Sequence, residues 1–123
     1  MIKVVFCLRR RTDLTAQEFQ SHWFDVHAPL VRKHQEALRI ARYVQPHTDH
    51  GPMTEKLRGF RGSPEPYDGI AEIWYVSLEE LESLGADPEA RRASRELRDD
   101  EERFIDLPRS PIWIASEREV IPA

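Results

Sequence analysis

"IKVVFCLRRRTDLTAQEF", residues Ile2 to Phe19, contains the junction that decides the fold. Its opening run is short, rich in β-branched residues and apolar at nearly every position, which reads as a strand buried on both faces. Arg10 to Asp13 form a polar turn, and the pattern then changes. Thr15 with Glu18 three positions later spells a capping box, and Leu14 and Phe19 flank it as a hydrophobic staple, so a helix begins here. A strand therefore feeds a capped helix.

That helix continues through "FQSHWFDVHAPLV", residues Phe19 to Val31. At ~100° per residue, Trp23, Val26 and Leu30 stay within ~40° of Phe19 and make one apolar stripe. His22 and His27 border the stripe on opposite sides, about 60° and about 80° away. Pro29 has no N–H for the carbonyl of Asp25, which predicts a kink or break near His27 and Ala28. "RIARYVQ", residues 39–45, reads as a second strand with Ile40 and Val44 on one face and Ala41 and Tyr43 on the other. Residues 46–68 carry four prolines and read as a long loop with a helical turn at Met53–Leu57, a length that tends to cover a site or an interface.

"GIAEIWYV", residues 69–76, is the third strand, again apolar on both parities. Ser77 and Glu80 cap a short helix that stops near Gly85, and Asp87–Pro88 opens another whose inward residues are Ala90, Ala93, Leu97 and Phe104. The alternating charges from Arg91 to Arg103 read as its solvated face. "PIWIASEREVI", residues 111–121, closes the series as a fourth strand. Strand, helix, strand, strand, helix, strand is the βαββαβ order of a ferredoxin-like α+β sandwich, with a four-stranded antiparallel sheet and both helices on one face. Residues 1–123 are expected to make a single domain. Because both parities of the strands are apolar, the uncovered sheet face predicts a homodimer packed sheet against sheet.

Eighteen basic against 22 acidic residues, a net charge of −4, create no field for a polyanion, so nucleic acid is not an expected partner. The lone Cys7 lies in the first apolar run and reads as a small hydrophobe. "MIKVVFCL" is too short to span a bilayer, and the arginines that follow it reverse the order of a secretory signal; no membrane association and a cytoplasmic location are expected.

The segment His22-Trp23 leading into His27-Ala28-Pro29-Leu30, behind the capped "TAQEF", resembles the EthD family of the dimeric α+β-barrel superfamily. The ending "FIDLPRSPIWIASEREV", with Asp106 and Glu117, is similar to that family's tail. The resemblance implies a dimeric ferredoxin-like fold with a pocket between sheet and helices. It also implies small hydrophobic substrates, since similar domains handle aromatic polyketides, lactones and small acids, while sister families oxidise anthrones or degrade haem.

Several side chains are candidates for chemistry. His27 is the expected general base, because an imidazole titrating near ~6.5 can take and return a proton at neutral pH. His22 is its expected partner acid or orienter, and Tyr43 the donor to a carbonyl or enolate oxygen. For each imidazole the competing reading is a cap on a carbonyl at the rim of the core. Trp23, Trp74 and Phe104 are candidates for the apolar wall of a substrate site, against a reading as plain core. His22 and His27 lie five apart and do not share a helix face as zinc ligands four apart do, so no metal is expected there; His47, Asp49 and His50 read as loop polarity. There is no glycine-rich phosphate cradle and no serine nucleophile elbow, so no cofactor is expected. The leading expectation is a cofactor-independent proton-transfer enzyme (isomerisation, dehydration or decarboxylation) acting on a small hydrophobic carbonyl or phenolic metabolite. The alternatives are a cofactor-free monooxygenase or haem-binding protein, and a non-catalytic ligand-binding or stress-response dimer.

Overall fold

The computed structural model describes residues 1–123. Strand β1 (Ile2–Leu8) leads through the polar turn to helix α1 (Ala16–His22), which a wide π-helical turn (Trp23–His27) joins to α2 (Ala28–Lys33). Strand β2 (Arg42–Val44), helix α3 (Pro52–Arg61), strand β3 (Gly69–Tyr75), helices α4 (Leu78–Ser83) and α5 (Pro88–Glu101) and strand β4 (Ile112–Ala115) follow. The four strands form one antiparallel sheet in the order β2-β3-β1-β4, the ferredoxin-like arrangement. No helix is long and apolar enough to cross a membrane.

The capping box forms as its sequence requires: Thr15 Oγ1 accepts from the Glu18 N–H at 3.0 Å, and the Glu18 carboxylate accepts from the Thr15 N–H at 2.9 Å. Beyond it the helix departs from the regular pattern. Within the π-turn the Ala28 N–H reaches back five residues to the Trp23 carbonyl, one residue before Pro29, which has no N–H to give. The extra residue in that turn rephases the helix. In a regular helix Val26 would join the Phe19 stripe; here Val26 is exposed, and His27 takes its place in a buried row of Phe19, Trp23, His27 and Val31.

Three boundaries differ from the sequence reading. The second strand is confined to Arg42–Val44, because Arg39 sits in the left-handed region (φ 52°) and Ile40 closes a turn onto the Gln35 carbonyl before pairing begins. Ile40 therefore turns inward with Tyr43 and not opposite it. The segment 46–68 holds a ten-residue helix, α3, with Pro52 in its first turn and Gly62 ending it in the left-handed conformation (φ 63°) that glycine adopts without strain. The last strand stops at Ala115, where its pairing with Lys3 ends, and residues 116–121 do not join the sheet.

Alternation along β1 and β3 sends Val4, Phe6, Leu8, Ala71, Ile73 and Tyr75 toward the helices. The core they make is in two parts. Phe6, Leu8, Phe19, Trp23, Ala71, Phe104 and Ile105 form one cluster, and Val31, Leu38, Ile40, Tyr75, Ala90 and Ala93 form the other. Tyr43 packs against both, and the space between them is not filled. At the edge of this space Trp23 lies flat on the backbone of Gly69: a Cβ there would come within 2.2 Å of Trp23 Cζ3, so only glycine permits that position of the indole.

Candidate active site

The two histidines converge on one carboxylate. His22 Nε2 donates to Asp100 Oδ1 at 3.0 Å, and His27 Nδ1 donates to Asp100 Oδ2 at 2.8 Å. Asp100 is only 2% exposed and His27 5%. Helix α5 delivers Asp100 at the level of the π-turn, and the rephased turn directs His27 at it. Burial acts to raise the Asp100 carboxyl, but the hydrogen bonds from His27 and His22 outweigh it and hold the group below the usual carboxylate range. Asp100 is thus ionised and can only accept, which puts hydrogens on His22 Nε2 and His27 Nδ1. Burial pushes His27 below the ordinary imidazole value in spite of the bond to Asp100. At neutral pH His27 is then neutral, with its free lone pair on Nε2.

His27 lines a cavity, and its Nε2 lies 4.0 Å from Oε2 of Glu101, which lines the same space. A space of about 380 Å³ lies between the sheet and the helices; Trp23, His27, Val31, Tyr43, Ile73 and Glu101 are among its predominantly apolar lining. Tyr43 Oη accepts from Gln45 Nε2 at 3.0 Å, which leaves its own proton free to be given. Burial holds that phenol above its ordinary value, so it remains a donor. Gln45 Nε2 also bonds the Trp23 carbonyl at 3.0 Å, and His47, stacked on the Trp23 ring at 4.3 Å, donates to Gln45 Oε1 at 2.8 Å. Tyr43 is thereby held from behind by a polar chain that runs out to a larger surface groove of about 730 Å³, whose floor shares Val31, Ile40 and Tyr43 with the cavity.

Of the six side chains singled out from sequence, His27, Tyr43 and Trp23 line the cavity together. His22 and Phe104 do not reach it. Phe104 is fully buried behind the imidazoles, stacked on His22 with centroids 4.7 Å apart and 5.2 Å from His27, so it steadies the pair. Trp74 is on the opposite face of the sheet, because β3 alternates and Ile73 and Tyr75 take the inner parity. There it lies under Lys3 and Arg42 and donates to Glu117 at 3.1 Å. His47, Asp49 and His50 are drawn into separate tasks: His47 stacks on Trp23, Asp49 accepts from the Gly51 N–H at 2.7 Å, and His50 approaches Asp68 at 3.9 Å. No group of three His, Cys, Asp or Glu side chains is arranged to hold a metal ion.

Asp100 and Glu101 escaped the sequence reading, which assigned the alternating charges from Arg91 to Arg103 to a solvated face. One signal was available. The inward stripe Ala90, Ala93, Leu97, Phe104 skips a turn, and the positions that fill it at helical spacing are 100 and 101, both acidic. Carboxylates on an otherwise apolar stripe need partners; His22 and His27 are the close partners of Asp100, and Arg103 Nη1 donates to its Oδ1 at 3.4 Å from the exposed side.

An antiparallel ferredoxin-like sheet with a largely apolar hollow between sheet and helices, and a buried histidine–aspartate pair beside it, defines the class of ferredoxin-like α+β proteins to which this chain belongs. The chain belongs to the EthD family: the EthD domain model matches residues 11–108. Among solved structures it is similar to an ethyl tert-butyl ether D (EthD) family protein from Bacillus halodurans, with 21% identity and a TM-score of 0.62 over 96% of this chain and 99% of that one. It is similar to a dimeric protein of unknown function and ferredoxin-like fold from Bacteroides fragilis, at 9% identity and a TM-score of 0.58 over 94% and 95% of the two chains. It is also similar to SnoaB, a cofactor-independent oxygenase from Streptomyces nogalater, at 14% identity and a TM-score of 0.51 over 99% and 97%. No curated protein matches the chain.

Proposed function

We propose that this EthD-domain protein is a cofactor-independent enzyme that transfers a proton on a small hydrophobic carbonyl or phenolic compound bound between the sheet and the helices. The observation that carries this reading is the 2.8 Å bond from His27 Nδ1 to the buried Asp100, which leaves Nε2 as a base at the wall of an apolar hollow. Asp100 orients the ring and stabilises the imidazolium formed when the proton arrives. His22, tied to the other oxygen of Asp100, holds that carboxylate in place. Tyr43 gives its hydroxyl proton in a hydrogen bond to the oxygen on which charge develops. Trp23 supplies a flat apolar surface.

The test uses 2-tetralone, a flat hydrophobic ketone with acidic α-hydrogens, in D2O, with loss of the α-proton signals followed by NMR. The protein accelerates exchange, and His27→Ala loses about 10²–10⁴ of the acceleration while remaining folded. Tetralone bound at Trp23 and Ile73 without exchange above buffer refutes catalysis and leaves a binding protein. SnoaB favours a second reading, in which the deprotonated guest goes on to react with dioxygen; oxygen uptake with 1-naphthol distinguishes it.

The same proposal includes a two-fold dimer through the sheet face that the helices leave bare. The dimeric relative supports it, as does the exposure of Trp113 (48%) on the same parity as Val5 and Trp74. This face also carries Lys3, paired with Glu72 and Glu117, so the interface combines apolar area with charge.

A further inference from the structure

We infer that Glu101 is a second proton-transferring residue of the cavity, acting beside His27 on a guest whose acidic C–H bond adjoins a carbonyl; this rests on the catalytic reading given above. Glu101 closes helix α5 one residue after Asp100, but its position differs in kind. Both oxygens of Asp100 are occupied by imidazole hydrogens, whereas Glu101 lines the cavity and its one ionic approach is to His27, with Oε2 4.0 Å from Nε2. A carboxyl and an imidazole nitrogen thus face the same hollow at a separation too long for a direct hydrogen bond and short enough for both to touch one guest.

The surroundings set which group holds the proton. Burial dominates at Glu101; Arg98 on its own helix draws it down, while Asp100 and Glu102 on that helix push it up, and the carboxyl is raised to about 7. From the π-turn it faces the neutral His27, and from β2 the phenol of Tyr43. Near neutral pH the pair therefore populates a protonated carboxyl opposite an unprotonated nitrogen, which is an acid and a base at once.

In the step this permits, His27 Nε2 takes the α-hydrogen of the guest as a proton. The C–H electron pair becomes the new C=C bond, the C=O π pair moves onto oxygen, and that oxygen takes the proton of Glu101. Enol, imidazolium and carboxylate result. Return of the imidazolium proton to a different carbon of a conjugated guest, with the enol proton passing back to Glu101, completes an isomerisation without oxidant or co-reactant. The α-carbon and the carbonyl oxygen are only two bonds apart, so two groups 4.0 Å apart can serve both. The substrate class is an enolisable ketone or lactone.

The experiment follows the His27 ring and the Glu101 carboxyl by NMR through a pH titration in the wild type and in Glu101→Gln, with tetralone exchange measured across the same range. In the wild type the His27 signal moves in two steps, the second coinciding with the Glu101 carboxyl; in Glu101→Gln it moves in one. The variant binds tetralone within about twofold of the wild type but exchanges its α-hydrogens at least about tenfold more slowly and loses the decline on the alkaline side. Glu101 titrating in the ordinary carboxylate range, with exchange retained in Glu101→Gln, overturns its part alone. A two-step titration with no exchange by the wild type instead removes the catalytic reading of the cavity, and the role of Glu101 with it.

Discussion

Replacing Glu101 by Gln changes the pH dependence of folding stability in a direction that the geometry dictates. In the folded protein burial raises this carboxyl from its ordinary 4.5 to about 7, whereas the unfolded chain titrates it near the ordinary value. Between those two values the folded state binds more protons than the unfolded state, so the contribution of Glu101 is fully present below pH ~4.5 and is lost as the pH rises through about 7. At about 1.36 kcal/mol for each unit of pKa, the loss approaches about 3 kcal/mol. Gln has nearly the shape of the protonated acid and no charge to bury. The variant is therefore about as stable as the wild type at pH 4.5 and more stable by about 2–3 kcal/mol at pH 8. Asp100 and His27 titrate in both proteins and cancel to first order. Urea denaturation at half-unit intervals from pH 4.5 to 8.5 measures this: with a slope of about 1–2 kcal/mol per molar, the midpoints separate by about 1–3 M at the alkaline end. Two curves that stay parallel across that range refute the reasoning, because a carboxyl that ionises freely in the cavity has no acid form to offer at neutral pH.

Three further outcomes follow from the same geometry. Asp100→Asn costs about 1–3 kcal/mol by thermal or urea denaturation and lowers tetralone exchange by at least about 10²: the amide can donate to His27 Nδ1, which moves the imidazole hydrogen to Nε2 and removes the base. Gly69→Ala destabilises by about 1–3 kcal/mol in the same assay and perturbs Trp23 fluorescence, since the added methyl meets the indole and the Pro46 carbonyl, the latter at 3.1 Å. Trp113→Lys yields a monomer by sedimentation at micromolar concentration, from a wild-type dimer, and leaves the His27–Asp100 bond intact as judged by the imidazole NMR signals.

Some of this protein was legible residue by residue. Thr15 and Glu18 located the start of the first helix, because a capping box is a local device whose partners are three residues apart. The apolar runs of β1 and β3 were equally plain, and with the order of elements they were enough for the ferredoxin-like sheet; apolar on both parities, they did not say which face meets the helices. Pro29 announced a disturbed turn near His27, since a missing N–H must show within one turn of the helix. What that disturbance does to the phase was not legible. Whether a proline yields a kink, a break or a π-turn depends on what the displaced side chains meet, and here His27 meets Asp100, 73 residues further along the chain.

The same distance hid the carboxylates. In sequence Asp100 and Glu101 stand in a run of alternating charge, and such runs are as a rule solvated; only the packing of α5 against the π-turn distinguishes the buried Asp100 and the half-buried Glu101 from their exposed neighbours. Trp74 and Tyr43 were both candidates from composition, and the alternation of β3 together with the short turn at Arg39 separated them, one onto the bare sheet face and the other into the hollow. Local chemistry, caps, periodicity and the proline, determined the elements and their order, because those forces act between residues a turn or a strand step apart. The protonation states, the empty space between two core clusters and the partnership of two histidines with one aspartate were decided by tertiary structure alone, because burial and electrostatic interaction depend on which distant segments come together and how much water they exclude.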